Sequence, residues 1–180
     1  MKNSTPVLFV ILLLLACNTK TNHNMTQFIS EKEVRSASFI LDAEIERVFP
    51  LFGAFEERKW EKHWKPKLIY PETEVIEEGT TFSSDGSAEE GEYLWRVSKF
   101  DPGLFHIQYL VSTQNRYWTI TVKCQSSADQ KTKAEVTYSF IGLNEKGNQL
   151  NKIAADKMYS RNLEDWVEAI NYYLEHGKAI

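Results

Sequence analysis

Histidine and cysteine are the residue types best suited to nucleophilic or metal chemistry, and in this chain they are dispersed. After the first 33 residues the histidines are His63, His106 and His176, and none has metal-ligand spacing to another histidine or cysteine. The Gly-x-Ser-x-Gly, Walker and Gly-x-Gly-x-x-Gly motifs are absent from the sequence. Acyl transfer, nucleotide hydrolysis and dinucleotide chemistry therefore have no support. We predict no catalytic residue, no metal and no cofactor.

Aromatic and aliphatic side chains alternate with polar ones in four strand-like segments. The segments are Tyr93–Phe100, Leu104–Ser112, Arg116–Cys124 and Lys133–Leu143. Successive strand residues point to opposite faces, so each segment has one apolar face and one largely polar face. This pattern predicts an antiparallel sheet with one side in water and the other wrapped around something apolar.

The apolar face supplies the candidate binding residues. We predict that these line a cavity: Trp95, Tyr109, Trp118, Tyr138, Phe82, Trp64, Met158 and Arg116. Buried tyrosine hydroxyls need partners, and a ligand carbonyl or hydroxyl is one kind of partner. The alternative is that the same aromatic residues are simply core. Arg116 begins its strand, so we expect it at the cavity mouth, either paired with a ligand carboxylate or solvated.

Shorter elements and one long helix must position this face. A strand is predicted at Val34–Leu41, followed by helical segments at Ala43–Phe52 and around Trp60–Trp64, then short strands at Leu68–Glu77 and Thr80–Ser83. The segment Ser84–Glu92 is polar and contains glycine, which indicates a loop. An apolar stripe of helical period predicts a C-terminal helix from Asn144 or Asn148 to His176. Asp156 or Glu164 on that helix could place an acid in the cavity, although solvated positions are the simpler expectation.

The N-terminus carries an apolar run from Val7 to Leu15 behind Lys2. As a helix this run would reach roughly 15 Å, about half the hydrocarbon thickness of a bilayer, so it fits a signal segment and not a membrane span. The residues Leu14-Leu15-Ala16-Cys17 resemble the lipobox of bacterial lipoproteins, although Leu15 departs from the usual small residue. That resemblance implies cleavage before Cys17 and lipidation of its thiol. An ordinary secretory signal is the alternative.

Three segments follow from this interpretation. Residues 1–16 form the signal peptide, 17–33 the lipidated cysteine with a polar flexible tether, and 34–177 the folded domain. We expect the protein in the cell envelope, anchored through its lipid; Asn18 resembles an outer-membrane rather than an inner-membrane sorting residue. Cys124 is then a free thiol, and we expect it to be a small, half-buried strand residue.

Charge and composition exclude one class of partner. The formal net charge is −4 at pH 7, and the basic residues form no concentrated face in the sequence. Nucleic-acid binding needs such a face, so we expect no nucleic-acid partner.

The element order and several segments resemble the START/Bet v 1-like (SRPBCC) superfamily. The segments are Val48–Phe52, Trp60–Pro71, Glu78–Phe82, Trp95–Pro102 and Leu163–Gly177. The resemblance covers residues 34–177 and implies an α+β helix-grip fold: a curved antiparallel sheet of about seven strands around a long C-terminal helix, with two short helices after the first strand. It also implies an apolar ligand between sheet and helix.

Our hypothesis is a lipid-anchored envelope protein that binds a small hydrophobic molecule without transforming it. Some relatives are cyclases or hydrolases with ionisable residues in the cavity, so an enzyme of that type is the alternative. An inward-facing ionisable group would favour it. A third possibility is a cavity-free interaction module, which requires a filled interior and an exposed apolar patch.

Overall fold

A seven-stranded antiparallel sheet frames the protein, in the order β1-β7-β6-β5-β4-β3-β2. The computed structural model describes residues 27–180, so the predicted signal peptide and Cys17 lie outside the described residues. The strands are β1 Lys32–Leu41, β2 Lys67–Tyr70, β3 Thr81–Asp85, β4 Glu92–Asp101, β5 His106–Ser112, β6 Arg116–Ser127 and β7 Lys131–Gly142. The helices are α1 Ile45–Val48, α2 Glu145–Met158 and α3 Glu164–His176, with 3₁₀ turns at Phe49–Phe52, Glu57–Lys59 and Ala128–Gln130. The predicted α+β architecture is confirmed.

The predicted alternation is also confirmed in the central strands. The residues that turn inward and are buried include Val97, Ile107, Tyr109, Val111, Trp118, Ile120, Val122, Val136, Tyr138 and Phe140. In β4 the register shifts at Ser98, because Val97 pairs with Tyr109 while Lys99 pairs with Gln108. This bulge adds one residue, and it brings Phe100 to the inner side opposite Ile107.

The folded part begins earlier than predicted. β1 starts at Lys32, two residues before the predicted boundary at Val34. Before it, the Ser30 hydroxyl donates to the carbonyl oxygen of Gly142 at 2.6 Å, and the Glu31 amide donates to Asn148 Oδ1 at 3.0 Å. The last residues of the predicted tether are therefore fixed against β7 and α2.

The sequence predicts one continuous C-terminal helix, but residues 159–163 divide it into α2 and α3. Asn162 and Leu163 adopt left-handed backbone conformations there, with φ of 51° and 61°. Leu163 is nevertheless buried, with 1% of its surface exposed. Because Leu163 lies inside the break and is apolar, the apolar stripe continues across residues 159–163. The periodicity of the sequence therefore does not reveal the break.

The segment between β1 and β2 contains the short helix α1 and two 3₁₀ turns, so its helical segments are shorter than the predicted ones. Pro50 interrupts the first, where α1 passes into a 3₁₀ turn. Trp60 and Trp64 are held by hydrogen bonds and not by a shared helix face. Their indole N–H groups donate to the carbonyl oxygens of Leu51 at 2.8 Å and Ala54 at 2.6 Å.

Within residues 27–180, no helix has the length and apolar character needed to cross a bilayer.

Candidate ligand-binding site

Two adjacent chambers lie between the concave face of the sheet and the helical segments. The larger has a volume of about 230 Å³, is partly open to solvent, and is bounded by β4, β6, β7 and α2. The smaller encloses about 30 Å³ beneath the segment that carries the 3₁₀ turn Glu57–Lys59. Trp95, Ile120 and Tyr138 line both chambers and form the partition between them.

All eight predicted site residues line one of these chambers. Trp64, Phe82 and Tyr109 line the smaller one. Arg116, Trp118 and Met158 line the larger one. Trp95 and Tyr138 belong to both. The structure therefore brings the predicted set together, while ligand binding by it stays a prediction.

The chamber walls are aromatic rings packed against one another. Phe82 stacks on Trp95 with ring centroids 5.5 Å apart, and Trp64 meets Trp95 edge-on at 5.2 Å. On the larger chamber, Tyr93 meets Trp118 edge-on at 5.1 Å. Such contacts fix the orientation of large rings, so the chambers are shaped by rigid walls.

Most polar atoms of these rings are already bonded within the protein. The Tyr109 hydroxyl donates to the carbonyl oxygen of Phe52 at 2.9 Å, and the Trp95 indole N–H donates to Ser84 Oγ at 2.9 Å. Among the described residues, the Tyr138 hydroxyl has no hydrogen-bonding partner. Burial raises the pKa of Tyr138 well above its ordinary value, so its hydroxyl is a neutral donor at physiological pH.

A carboxyl group faces the smaller chamber, and the sequence analysis missed it. Glu57 is half-buried in the 3₁₀ turn and lines the chamber together with Tyr109 and Tyr138. Burial, reinforced by the negative charge of Glu61, raises the pKa of Glu57 to about 8. The predicted sources of a cavity acid, Asp156 and Glu164, are exposed instead. The one signal available was the aromatic neighbourhood of Glu57 in the sequence.

Arg116 corrects another expectation. Arg116 is only 5% exposed. Its guanidinium pairs with the carboxylate of Glu90 through Nη2–Oε2 at 2.6 Å and Nε–Oε1 at 3.0 Å. It also donates to the carbonyl oxygen of Leu150 at 3.1 Å and lies over the Trp118 ring at 4.8 Å. Arg116 is therefore neither solvated nor free to pair with a ligand carboxylate, because Glu90 already occupies that position.

Glu90 fixes the loop between β3 and β4 to the rest of the fold. Besides Arg116, its carboxylate accepts from the hydroxyls of Thr113 at 3.0 Å and Tyr93 at 3.3 Å. Tyr93 and Arg116 both line the larger chamber. The loop is thus held beside that chamber.

Two further observations concern chemistry elsewhere in the described chain. Residues 27–180 contain no cluster of three or more histidine, cysteine, aspartate or glutamate side chains arranged to hold a metal ion. Cys124 is a buried free cysteine, and burial raises its pKa to about 12. Its thiol is therefore protonated and unreactive at neutral pH.

Comparison with known proteins decides the type of fold. No family model and no curated protein matches the sequence. Among solved structures, norcoclaurine synthase from Thalictrum flavum aligns with a TM-score of 0.62 at 10% identity, over 83% of this chain and 98% of that one. The protein has the Bet v 1-like helix-grip fold. Ara h 8.0201 aligns with a TM-score of 0.52 at 12% identity, over 76% and 98% of the two chains.

A bacterial structure has the same helix-grip fold. A protein from Nitrosospira multiformis aligns with a TM-score of 0.56 at 15% identity, over 80% of this chain and 100% of that chain. At such identities the likeness concerns the fold and does not transfer an activity.

Proposed function

We propose that the protein binds a small hydrophobic molecule in the two-chamber interior. The observation that carries this proposal is the larger chamber, whose lining includes Trp118, Phe140, Ala154 and Met158. A cavity of about 150 Å³ with an apolar lining is enough to bind benzene, so a chamber of about 230 Å³ accommodates a substituted ring. Norcoclaurine synthase, which shares the fold, was solved in complex with dopamine and hydroxybenzaldehyde.

The proposal includes an anchor. The lipobox-like Leu14–Cys17 segment supports lipidation of Cys17 and attachment to an envelope membrane, with the outer membrane favoured by Asn18. Two or three acyl chains hold a protein stably on a bilayer, whereas a single chain binds only marginally. In this arrangement the protein carries or buffers its apolar ligand at the membrane surface.

A second candidate is an enzyme of the cyclase or hydrolase type. One observation favours it: Glu57 places a carboxyl group in the smaller chamber beside Tyr109 and Tyr138. A carboxyl group whose pKa lies near the working pH is suited to general acid–base chemistry. The third alternative, a filled interaction module, is opposed by the size of the larger chamber.

Native mass spectrometry of the protein isolated from its own cells, followed by organic extraction, tests the binding proposal. We expect a bound apolar molecule of low mass. Ala154→Phe places a ring in the larger chamber and should abolish this mass. Ile153→Phe is the matched control, because Ile153 is 64% exposed on the same helix. A wild-type protein without bound mass that also fails to bind a panel of apolar molecules would contradict the proposal.

A further inference from the structure

Among the oxygen-bearing side chains that line the smaller chamber, two make no hydrogen bond within the described residues. They are the Glu57 carboxyl and the Tyr138 hydroxyl, and both line the smaller chamber. Tyr138 also lines the larger chamber, so its side chain borders both spaces. Polar groups in an apolar cavity are costly when unpaired, which makes them the natural contacts for a ligand's polar atom.

The charge state of the pair follows from its neighbours. Four acidic or phenolic groups surround the pair. They are Glu61 after the 3₁₀ turn, Tyr109 on β5, Tyr159 at the end of α2 and Asp165 on α3. No cation contributes to the pKa of Glu57 among the described residues. Near neutral pH, Glu57 is therefore mainly protonated, and both groups have a hydrogen to donate.

Two neutral hydrogen-bond donors in one apolar cavity favour a ligand that carries an acceptor oxygen. A carbonyl oxygen has two lone pairs and carries no charge, so it can accept from both donors without a desolvated ion. A ligand carboxylate would introduce a second negative group beside Glu61. A ligand cation would require ionised Glu57, which burial opposes. A protonated carboxyl group and a tyrosine are a known pair of donors to a carbonyl oxygen in apolar enzyme sites.

We propose that Glu57 and Tyr138 together bind the carbonyl oxygen of a small apolar ketone or aldehyde whose hydrocarbon part occupies the larger chamber. The proposal rests on the proposed function and specifies the ligand's chemical class. The smaller chamber, at about 30 Å³, has room for an oxygen but not for a ring. The larger chamber supplies the room for the ring.

Acetophenone and α-methylstyrene are suitable probes, because they differ only in a C=O or C=CH₂ group of similar shape. Each is titrated into the full-length chain carrying Cys17→Ser, which prevents lipidation and avoids detergent. Tryptophan fluorescence reports binding, since Trp64, Trp95, Trp118 and Trp166 line the chambers. We expect acetophenone to bind about tenfold more tightly, as one or two net hydrogen bonds allow. Its carbonyl stretching band should move to lower frequency when bound.

Variants assign the effect to the two donors. Tyr138→Phe and Glu57→Leu should each reduce the preference for acetophenone several-fold. Glu57→Gln retains an N–H donor and should keep the preference. Tyr159→Phe is the control, because that hydroxyl donates to the carbonyl oxygen of Val136 at 3.1 Å and lines neither chamber. Thermal unfolding of each variant verifies that it is folded.

The pH dependence provides an independent readout. In the wild type the preference should fall as pH rises through about 8, where Glu57 loses its proton. In Glu57→Gln it should stay constant over the same range. Equal affinities for the two probes, or an unshifted carbonyl band, would overturn the carbonyl proposal and leave the hydrophobic site standing. Failure of both probes to bind the wild type would overturn the proposed function as well.

Discussion

Glu57 shows how a single half-buried carboxyl with a raised pKa couples stability to pH. Its pKa is raised from its ordinary value of 4.5 to about 8 in the folded protein, chiefly by burial. Between these values the folded state holds a proton that the unfolded state has released. The free energy of unfolding should therefore fall as pH rises through this interval, with a slope of up to about 1.4 kcal/mol per pH unit.

Urea unfolding of the wild type and Glu57→Gln at pH 5, 6.5 and 8 tests this coupling. The glutamine variant cannot ionise, so the stability difference between variant and wild type should move in favour of the variant as pH rises. Glu46→Gln, at an exposed position, is the control and should not change the pH profile. A Glu57→Gln profile parallel to the wild type would contradict burial of the charge.

Two adjacent glutamates in the β3–β4 loop allow the stability contribution of a buried ion pair to be compared with that of an exposed one. Glu90 pairs with Arg116 in a buried ion pair, whereas Glu89 lies 3.7 Å from Lys146 in an exposed one. Glu90→Gln should lower the free energy of unfolding by about 3–5 kcal/mol, because the Arg116 charge loses its partner. Glu89→Gln should change it by less than about 1 kcal/mol. Similar losses in chemical denaturation for the two variants would contradict the assignment.

At the residue scale, sequence patterns predicted apolar positions well and buried polar positions poorly. Trp95, Tyr109, Trp118 and Tyr138 follow strand parity, so their placement was predictable. Glu57 and Glu90 lie in turns and loops, where no periodicity distinguishes an inward side chain from a solvated one. Arg116 had inward parity, but its partner came from a loop that the sequence could not position.

At the scale of elements, α2 sits unusually close to the β6–β7 end of the sheet. A Cβ atom at Gly147 would overlap the backbone carbonyl of Asn115, so only glycine permits this approach. The Asn144 side chain caps the same turn by accepting from the Gly147 amide at 2.9 Å. The position of α2 sets the distance between Ala154 and the sheet, and with it the size of the larger chamber.

Gly147→Ala tests this packing. In an ordinary helix interior the change stabilises by up to about 1 kcal/mol, because alanine has the higher helix propensity. Here we expect a loss of about 1–3 kcal/mol from overpacking, measured by thermal or urea unfolding. Gly103→Ala is the control, because a Cβ atom there meets no atom closer than 3.6 Å. Stabilisation by Gly147→Ala would show that α2 can move away without cost.

The elements that differ from the prediction do so where an irregularity of the backbone interrupts the periodic pattern of apolar residues. The bulge at Ser98 and the break at residues 159–163 each preserve the inward position of apolar residues. Hydrophobic patterning constrains which side chains are buried, and it leaves the backbone free to insert a bulge or a left-handed turn. The alternating central strands and the apolar stripe of the C-terminal helices were therefore predictable, and the interruptions were not.

For the molecule as a whole, we propose that a membrane anchor precedes the helix-grip domain. Cys17→Ser should transfer the protein from the membrane fraction to the soluble fraction, because the thiol is the proposed site of acylation. Fractionation of cells and mass analysis of the N-terminal peptide measure this. Retention of the variant on membranes, or an unmodified Cys17 in the wild type, would contradict the anchor without affecting the cavity.

The central claim is that the space between the sheet and the C-terminal helices binds an apolar ligand. A crystal of the protein pressurised with xenon tests it most directly, because xenon enters dry apolar cavities. We predict xenon in the larger chamber between Trp118, Tyr138 and Ala154, and none there in Ala154→Phe. A wild-type crystal whose side chains fill this space, with no xenon between sheet and α2, would contradict the account.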